Sequence, residues 1–419
     1  MSSTPVPSSE LLAARCAADG EFRLAARHWT GGLRLEIGER TVALRMEDGV
    51  PTATDPGDGP GVVTLAGADD VWDQLLAEVP PPGATDVVAA FGAGLRPSGD
   101  GLLLWQYYPA IQRAVELLRP APAAAPAPTA ATGPTRKFDS PVGRYVHLDL
   151  DGVDHRIYFE EAGAGIPLLL QHTAGAHGIQ WRHLFECAEI TDHFRVIAYD
   201  LPFHGKSVPP VGVRWWEQRY QLTSERARAV PVTLAAALEL DQPVFMGCSV
   251  GGLLALDLAR HHPDVFRAVV SLEGSLRIDA DVQAMAWLWH PQVSNETKAR
   301  LMEGLMSPTS PIEYRKETAQ VYGAGWPPLF AGDLHYYFDD HDLTADAGAI
   351  DTALVGVHIL SGEYDHSAPP SHGRAAHEAI AGSTFAEMPG MGHFPMSEDP
   401  ERFLGFVLPV LESIRTRGR

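Results

Sequence analysis

The chain has 419 residues, 45% hydrophobic and 20% charged. This composition suits a globular protein with a large core, and the length suggests two domains rather than one. A formal charge of −21, from 32 basic and 53 acidic side chains, argues against nucleic acid or an anionic membrane surface as partner. Three cysteines (Cys16, Cys187, Cys248) are too few and too scattered for a disulfide framework or a zinc site. The opening MSSTPVPSSE has neither a basic nor an apolar signal region, and no apolar run is long enough to cross a bilayer. The sequence therefore reads as cytoplasmic.

The N-terminal part opens with a short helical pattern over Glu10 to Cys16. Runs that suit strands follow at Leu33 to Ile37, Thr41 to Met46 and Val62 to Leu65, separated by Gly- and Asp-containing turns. Ala68 to Glu78 has acids in its first turn and places Val71, Trp72, Leu75 and Leu76 at helical spacing, which predicts an amphipathic helix. Leu102 to Leu104 reads as a last strand and Ile111 to Leu118 as a last helix. A strand pair with a tight turn, then VVTLAGADDVWDQLLAE, then GLRPSGDGLLLW, resembles the sterol-carrier-protein type of lipid-binding domain over about residues 8–119. That resemblance implies a sheet and helices around an apolar cavity. A small α+β domain used for dimerisation or as a cover, filled by its own side chains, fits the same pattern, so a homo-oligomer stays open.

Pro120 to Pro134 is almost entirely Pro, Ala, Thr and Gly, which cannot bury itself and favours extended backbone. Residues 120–137 are thus expected to link a domain of residues 1–119 to one of residues 138–419. Beyond the linker, strands alternate with helices, the pattern of a mostly parallel sheet covered on both faces. Eight strands are expected, at Tyr145 to Leu148, His155 to Glu160, Pro167 to Gln171, Phe194 to Tyr199, Pro243 to Cys248, Ala268 to Leu272, Val355 to Ser361 and Thr384 to Met388. Helices are expected over Ala227 to Leu240 and Gly252 to His261. Between the sixth and seventh strands, residues 277–353 form a long, aromatic-rich insertion that is placed to fold as a cap.

Chemistry concentrates at PVFMGCSVGG, Pro243 to Gly252, where an apolar strand runs into G-x-S-x-G and then a helix. A serine on such a turn is in strained backbone with its hydroxyl off the sheet edge, and the flanking Gly247 and Gly251 avoid collision. Serine needs a base, and the base needs an orienting group. Asp365 in GEYDHSAPP and His393 in MPGMGHFP each follow a strand, giving the chain order serine, acid, histidine. With QHTAGA at residues 171–176 and YDLPFHGKS at residues 199–207, these motifs resemble the α/β-hydrolase superfamily over roughly residues 140–415. The resemblance implies an eight-stranded α/β-hydrolase sheet with Ser249 as nucleophile, His393 as base and Asp365 as its orienting acid. It places one oxyanion donor at the N–H of Val250 and the other at Thr173 or Ala174.

Two features depart from the common pattern. Gln171-His172-Thr173 stands where His-Gly is frequent, and Phe203 where glycine is frequent. Glu273 lies where other members of the superfamily, such as the fungal zearalenone lactonases, carry the acid, and it competes with Asp365 for that role. The implied reaction is hydrolysis of a carboxylic ester or lactone through an acyl-enzyme, with neither cofactor nor metal. The aromatic cap points to a largely apolar substrate, with His172, Trp287, Trp289 and Tyr336 as candidate contacts. Asp339-Asp340-His341-Asp342 reads as a solvated turn rather than a metal site. The same residues admit a carbon–carbon hydrolase of diketones, an acyltransferase, or an apolar-ligand carrier with an idle triad.

Overall fold

The computed structural model describes residues 7–120, 138–279 and 282–417. Of the expected linker, Pro120 is described and residues 121–137 lie outside the described residues. The chain divides into two compact units, residues 1–137 with 290–304, and residues 138–289 with 305–419. Among the described residues no helix is long and apolar enough to cross a membrane.

The first unit is built on a sheet of β1 (Gly31–Ile37), β2 (Arg40–Glu47), β3 (Val50–Thr52), β4 (Val62–Gly67) and β5 (Arg96–Gly99), in the order β3-β2-β1-β4-β5. β1 and β4 are parallel, and the remaining pairs antiparallel. Phe22, Trp29, Trp72 and Tyr108 are among its fully buried side chains. Leu102 to Leu104, expected as a strand, is helical: Gly101–Gln106 forms a short helix because the Asp100 side chain accepts the Leu103 N–H at 3.0 Å. The last strand of this unit is β5, just upstream. Part of the long insertion also belongs here. Helix Asn295–Gly304 carries Arg300, which pairs with Glu116 and Glu303, and the Thr297 hydroxyl donates to the Trp105 carbonyl at 2.7 Å.

The second unit holds β6 (Val142–Leu150), β7 (Val153–Ala162), β8 (Ile166–Gln171), β9 (Phe194–Tyr199), β10 (Val244–Cys248), β11 (Ala268–Leu272), β12 (Gly356–Gly362) and β13 (Thr384–Met388). Their order is β13-β12-β11-β10-β8-β9-β7-β6. β6, β7 and β9 pair antiparallel, and every other pair is parallel. β10 and β11 are buried at every residue, which is why they read as continuous apolar runs rather than alternating ones. Helix Val250–His261 follows β10, and helix Pro400–Thr416 packs Phe403, Val407, Leu411 and Ile414 into the core. The insertion contributes to this unit a 3-10 helix (Val282–Trp289), helices Ile312–Ala324 and Pro327–Leu334, and a π-helical turn (His335–Asp340). This unit is an α/β-hydrolase fold: a mostly parallel eight-stranded sheet flanked by helices.

Candidate active site

The turn after β10 has the geometry its glycines predict. Ser249 sits at φ 58°, ψ −115°, as the cap residue of helix Val250–His261. This is a backbone region that L-residues occupy only where surrounding structure enforces it. A Cβ at Gly247 would fall 2.4 Å from the Gly251 carbonyl oxygen, and one at Gly251 would fall 2.8 Å from the Gln171 side chain. The Ser249 N–H donates to the Leu272 carbonyl at 2.9 Å, so β11 holds the turn from one side. Val250 opens the helix, and its N–H has no partner within the helix.

His393 and Asp365 are brought together. His393 Nδ1 lies 2.7 Å from Asp365 Oδ2, and both residues are buried. Asp365 Oδ1 accepts the N–H groups of Ser367 at 2.8 Å and Ala368 at 3.1 Å. Burial opposes the charge on Asp365, but adjacent His393 and these N–H donors outweigh it and hold the carboxyl below its usual range. With Nδ1 committed to a carboxylate, Nε2 is the nitrogen left to act as base. The Cys248 thiol donates to the His393 carbonyl at 3.1 Å, which seats the histidine loop beside the serine turn. Glu398 fixes the rest of that loop, accepting the N–H groups of Gly392 at 2.6 Å, Phe394 at 3.3 Å and Ser307 at 3.2 Å.

Glu273 follows β11 at φ 51° and is fully buried. Both its oxygens lie within 2.9 Å of the Gly362 N–H, and its carboxyl hydrogen-bonds Asp365. Burial first, and the neighbouring Asp365 charge second, push its pKa well above the carboxylate range. A neutral Glu273 has one proton to give, and Asp365 is the acceptor beside it. The structure thus puts Asp365 on the histidine and Glu273 behind Asp365.

The loop after β8 separates the two candidate oxyanion donors. The Thr173 N–H and hydroxyl both point at Gln180 Oε1, each at 3.1 Å, and the hydroxyl also meets the Tyr322 phenol. The Ala174 N–H has no hydrogen-bond acceptor among the described residues. Thr173 is spoken for, which leaves Ala174 and Val250.

His172 is not placed to touch substrate. It has no exposed surface, its Nε2 accepts the Leu201 N–H at 3.1 Å, and its Nδ1 donates to the Thr173 carbonyl at 2.8 Å. Burial, then the neighbouring His204, hold its pKa well below the histidine range, so it is a neutral structural imidazole. Tyr336 likewise differs from expectation. Its hydroxyl donates at 2.7 Å to Asp257, eight residues along the helix from Ser249 and so roughly 12 Å from it. Its neighbour Tyr337 is the one nearer the site: this buried phenol lies 3.3 Å from the Ser367 hydroxyl, and burial raises its pKa with Ser249 among the groups that act on it. Trp287 and Trp289 are half-buried on the 3-10 helix.

The acidic run 339–342 does not converge. His341 faces Asp257 and the Ser275 carbonyl, Asp342 pairs with Arg277, and Asp339 with His335. Among the described residues no group of three metal-ligating side chains comes together. Phe203 stands at φ 71° in the left-handed region, which accounts for glycine being frequent there. Its ring meets those of His155, Trp215 and Tyr220.

Comparison with known proteins bears on the fold. A family profile described as the alpha/beta hydrolase fold matches residues 166–299. The uncharacterized protein Rv2715 of Mycobacterium tuberculosis is 26% identical over 274 residues, covering 60% of this chain and 77% of its own. A pimeloyl-[acyl-carrier protein] methyl ester esterase of Vibrio cholerae is 30% identical over 127 residues, covering 30% of this chain and 43% of its own. A thermophilic esterase from Thermogutta terrifontis superposes with a TM-score of 0.57 at 22% identity, over 65% of this chain and 100% of that one. Sequence profile and superposition show the same fold, that of the α/β-hydrolases.

Proposed function

We propose that the protein is a serine hydrolase that cleaves a carboxylic ester or lactone of a largely apolar substrate through an acyl-enzyme. The observation that carries this reading is the Asp365–His393 hydrogen bond, set beside a serine at left-handed φ on a strand-to-helix turn. His393 Nε2 takes the Ser249 proton as Oγ attacks the carbonyl carbon, and the carbonyl electron pair moves onto oxygen. The Val250 and Ala174 N–H groups receive that oxyanion. Collapse expels the alkoxide, which takes the proton from His393. Water, deprotonated by the same imidazole, then attacks the acyl-enzyme and restores Ser249. Asp365 holds the tautomer and stabilises the imidazolium throughout. The similarity to the methyl ester esterase supports an ester over a diketone, and the reaction needs neither metal nor cofactor.

Turnover of a p-nitrophenyl ester series of rising acyl length, by the native protein beside Ser249→Ala, tests the proposal. Activity lost in the variant is the expected result, and the chain-length profile sizes the acyl pocket. Activity surviving in Ser249→Ala would overturn it. Hydrolysis of a diketone but of no ester would replace it with carbon–carbon bond hydrolysis. Stoichiometric binding of an apolar ligand without any turnover would replace it with the carrier reading.

A further inference from the structure

The oxyanion loop is held from the cap by a residue that no motif contains. Asp333, near the end of cap helix Pro327–Leu334, is completely buried. Its Oδ2 accepts the Gly175 N–H at 2.7 Å and faces His204 Nε2 at 2.9 Å, while its Oδ1 accepts the Tyr220 hydroxyl at 3.1 Å. His204, also without exposed surface, turns its other nitrogen to the Pro202 carbonyl at 2.9 Å. Both ring nitrogens therefore face acceptors, so both donate and the ring is a cation. A carboxylate buried this deeply persists because it is paired and fully hydrogen-bonded.

The consequence falls on Ala174. On one side of it the Thr173 N–H is fixed on Gln180, and on the other the Gly175 N–H is fixed on Asp333. The two peptide planes that flank that of Ala174 are thereby set, and the plane between them, which carries the Ala174 N–H, is held at its Thr173 carbonyl by His172 Nδ1 at 2.8 Å. Gly175 adopts φ +64°, and a Cβ there would meet Phe330 of the same cap helix at 2.8 Å, so the loop cannot shift toward the cap. The cap helix is itself clamped: the Leu222 N–H donates to the Gly332 carbonyl at 3.0 Å, and a Cβ on Gly332 would fall 2.1 Å from the Tyr220 ring.

We propose that Asp333 is a positioning residue for catalysis, the cap-borne carboxylate that, paired with His204 and Tyr220, aims the Ala174 N–H at the oxyanion. This rests on the serine hydrolase reading above. It makes the cap part of the catalytic apparatus rather than only a cover for substrate, since losing the contact between Asp333 and Gly175 would disarm the oxyanion hole with Ser249, His393 and Asp365 intact.

The test compares Asp333→Asn with Asp257→Asn. Asp257 is a second buried carboxylate that ties the cap residues Tyr336 and His341 to helix Val250–His261 but makes no contact with the oxyanion loop. Rates with a p-nitrophenyl ester are scaled to the folded fraction from circular dichroism, and affinity is measured for an alkyl boronic acid, which forms a tetrahedral adduct on serine. Asp333→Asn is expected to lower kcat about 10²-fold, with KM changed less than about threefold and boronate affinity weakened in parallel. Asp257→Asn is expected to lower the melting temperature while kcat per folded molecule stays within about threefold. A kcat near the native value in Asp333→Asn, or an equal loss in both variants, would overturn the proposal. Where Asp333→Asn does not fold, Tyr220→Phe carries the test: kcat reduced about 3- to 10-fold at constant KM supports the role, and no change overturns it. Native protein without any Ser249-dependent turnover would overturn the hydrolase reading, and this inference with it.

Discussion

Replacing Glu273 by glutamine separates the two acids that flank the histidine. In the fold, Asp365 contacts His393 at 2.7 Å, and Glu273 contacts the Gly362 N–H and Asp365. A neutral Glu273 donates one hydrogen bond and accepts another, and glutamine reproduces both in the same volume. Glu273→Gln is therefore expected to hold kcat within about threefold, whereas Asp365→Asn, which loses control of the imidazole tautomer, is expected to cost about 10⁴-fold. That loss corresponds to roughly 5 kcal/mol of barrier. The pH dependence gives a second readout. Because the folded pKa of Glu273 is raised, the stability it contributes is complete below about pH 4.5 and is lost as pH rises towards the folded value. The loss is about 1.4 kcal/mol per pH unit crossed. Glutamine does not titrate, so urea denaturation at pH 5, 6 and 7 should show the variant gaining on the native protein with each step. A kcat collapse in Glu273→Gln with activity retained in Asp365→Asn would refute the assignment. Parallel stability curves would refute the neutral Glu273.

Three further outcomes follow from the same geometry. Burial raises Glu398 to about 7, so it too contributes stability that is lost between about pH 4.5 and 7, by about 3 kcal/mol. Glu398→Gln should remove that slope in urea titrations, yet be less stable at pH 8, because every partner of its carboxylate is a donor. Tyr337→Phe removes a phenol that lies close to Ser249 and bonds Ser367, and should change kcat by no more than about 10-fold in steady-state assays, the worth of one hydrogen bond at most. Arg300→Met leaves Glu116 and Glu303 without that cation and should destabilise the first unit by about 3–5 kcal/mol in chemical denaturation. Burial opposes the Glu116 charge, but Arg300 together with Arg119, Gln112 and Arg113 outweighs it, holding the pKa down at about 2. Native stability from this pair is thus present above about pH 4.5 and lost as pH falls towards 2, and the variant should lack much of that dependence.

What the sequence made legible was local. The turn at Ser249 was readable because strand, glycines and helix are contiguous, and β10 and β11 because burial on both faces leaves unbroken apolar runs. Leu102 to Leu104 misled for the converse reason: three leucines carry no period, and Asp100 decided for a helix. Asp365 and Glu273 each follow one of two adjacent strands, β12 and β11, so chain order alone could not rank them. Thr173 and Ala174 could not be told apart because the difference lies in Gln180, seven residues on, accepting from the first. Tyr337 was masked by Tyr336, since only the turn of the helix decides which phenol meets Asp257 and which meets Ser367. Asp333 lies 158 residues from Gly175 and belongs to no motif. The place of residues 290–304 in the first unit follows from a buried ion cluster, and no composition signal marks it.

The misses among the acids share a physical origin. A site at the edge of a parallel sheet is made of loops, and loops have no ladder to satisfy their backbone N–H groups. Here buried carboxyls do it: Asp200 accepts from Gly178 and Lys206, Asp333 from Gly175, Glu273 from Gly362, Asp365 from Ser367 and Ala368, and Glu398 from Gly392 and Phe394. Each is costly to bury, and each is retained where a backbone turn would otherwise be unpaired. The number of acids around the serine therefore overstates the number that take part in proton transfer. Among these five, Asp365 is the one bonded to His393, and the others act through the loops they hold. An acid at a strand end is a poor guide to catalysis until its hydrogen-bond partners are known, because positioning a loop and orienting a base call for the same side chain.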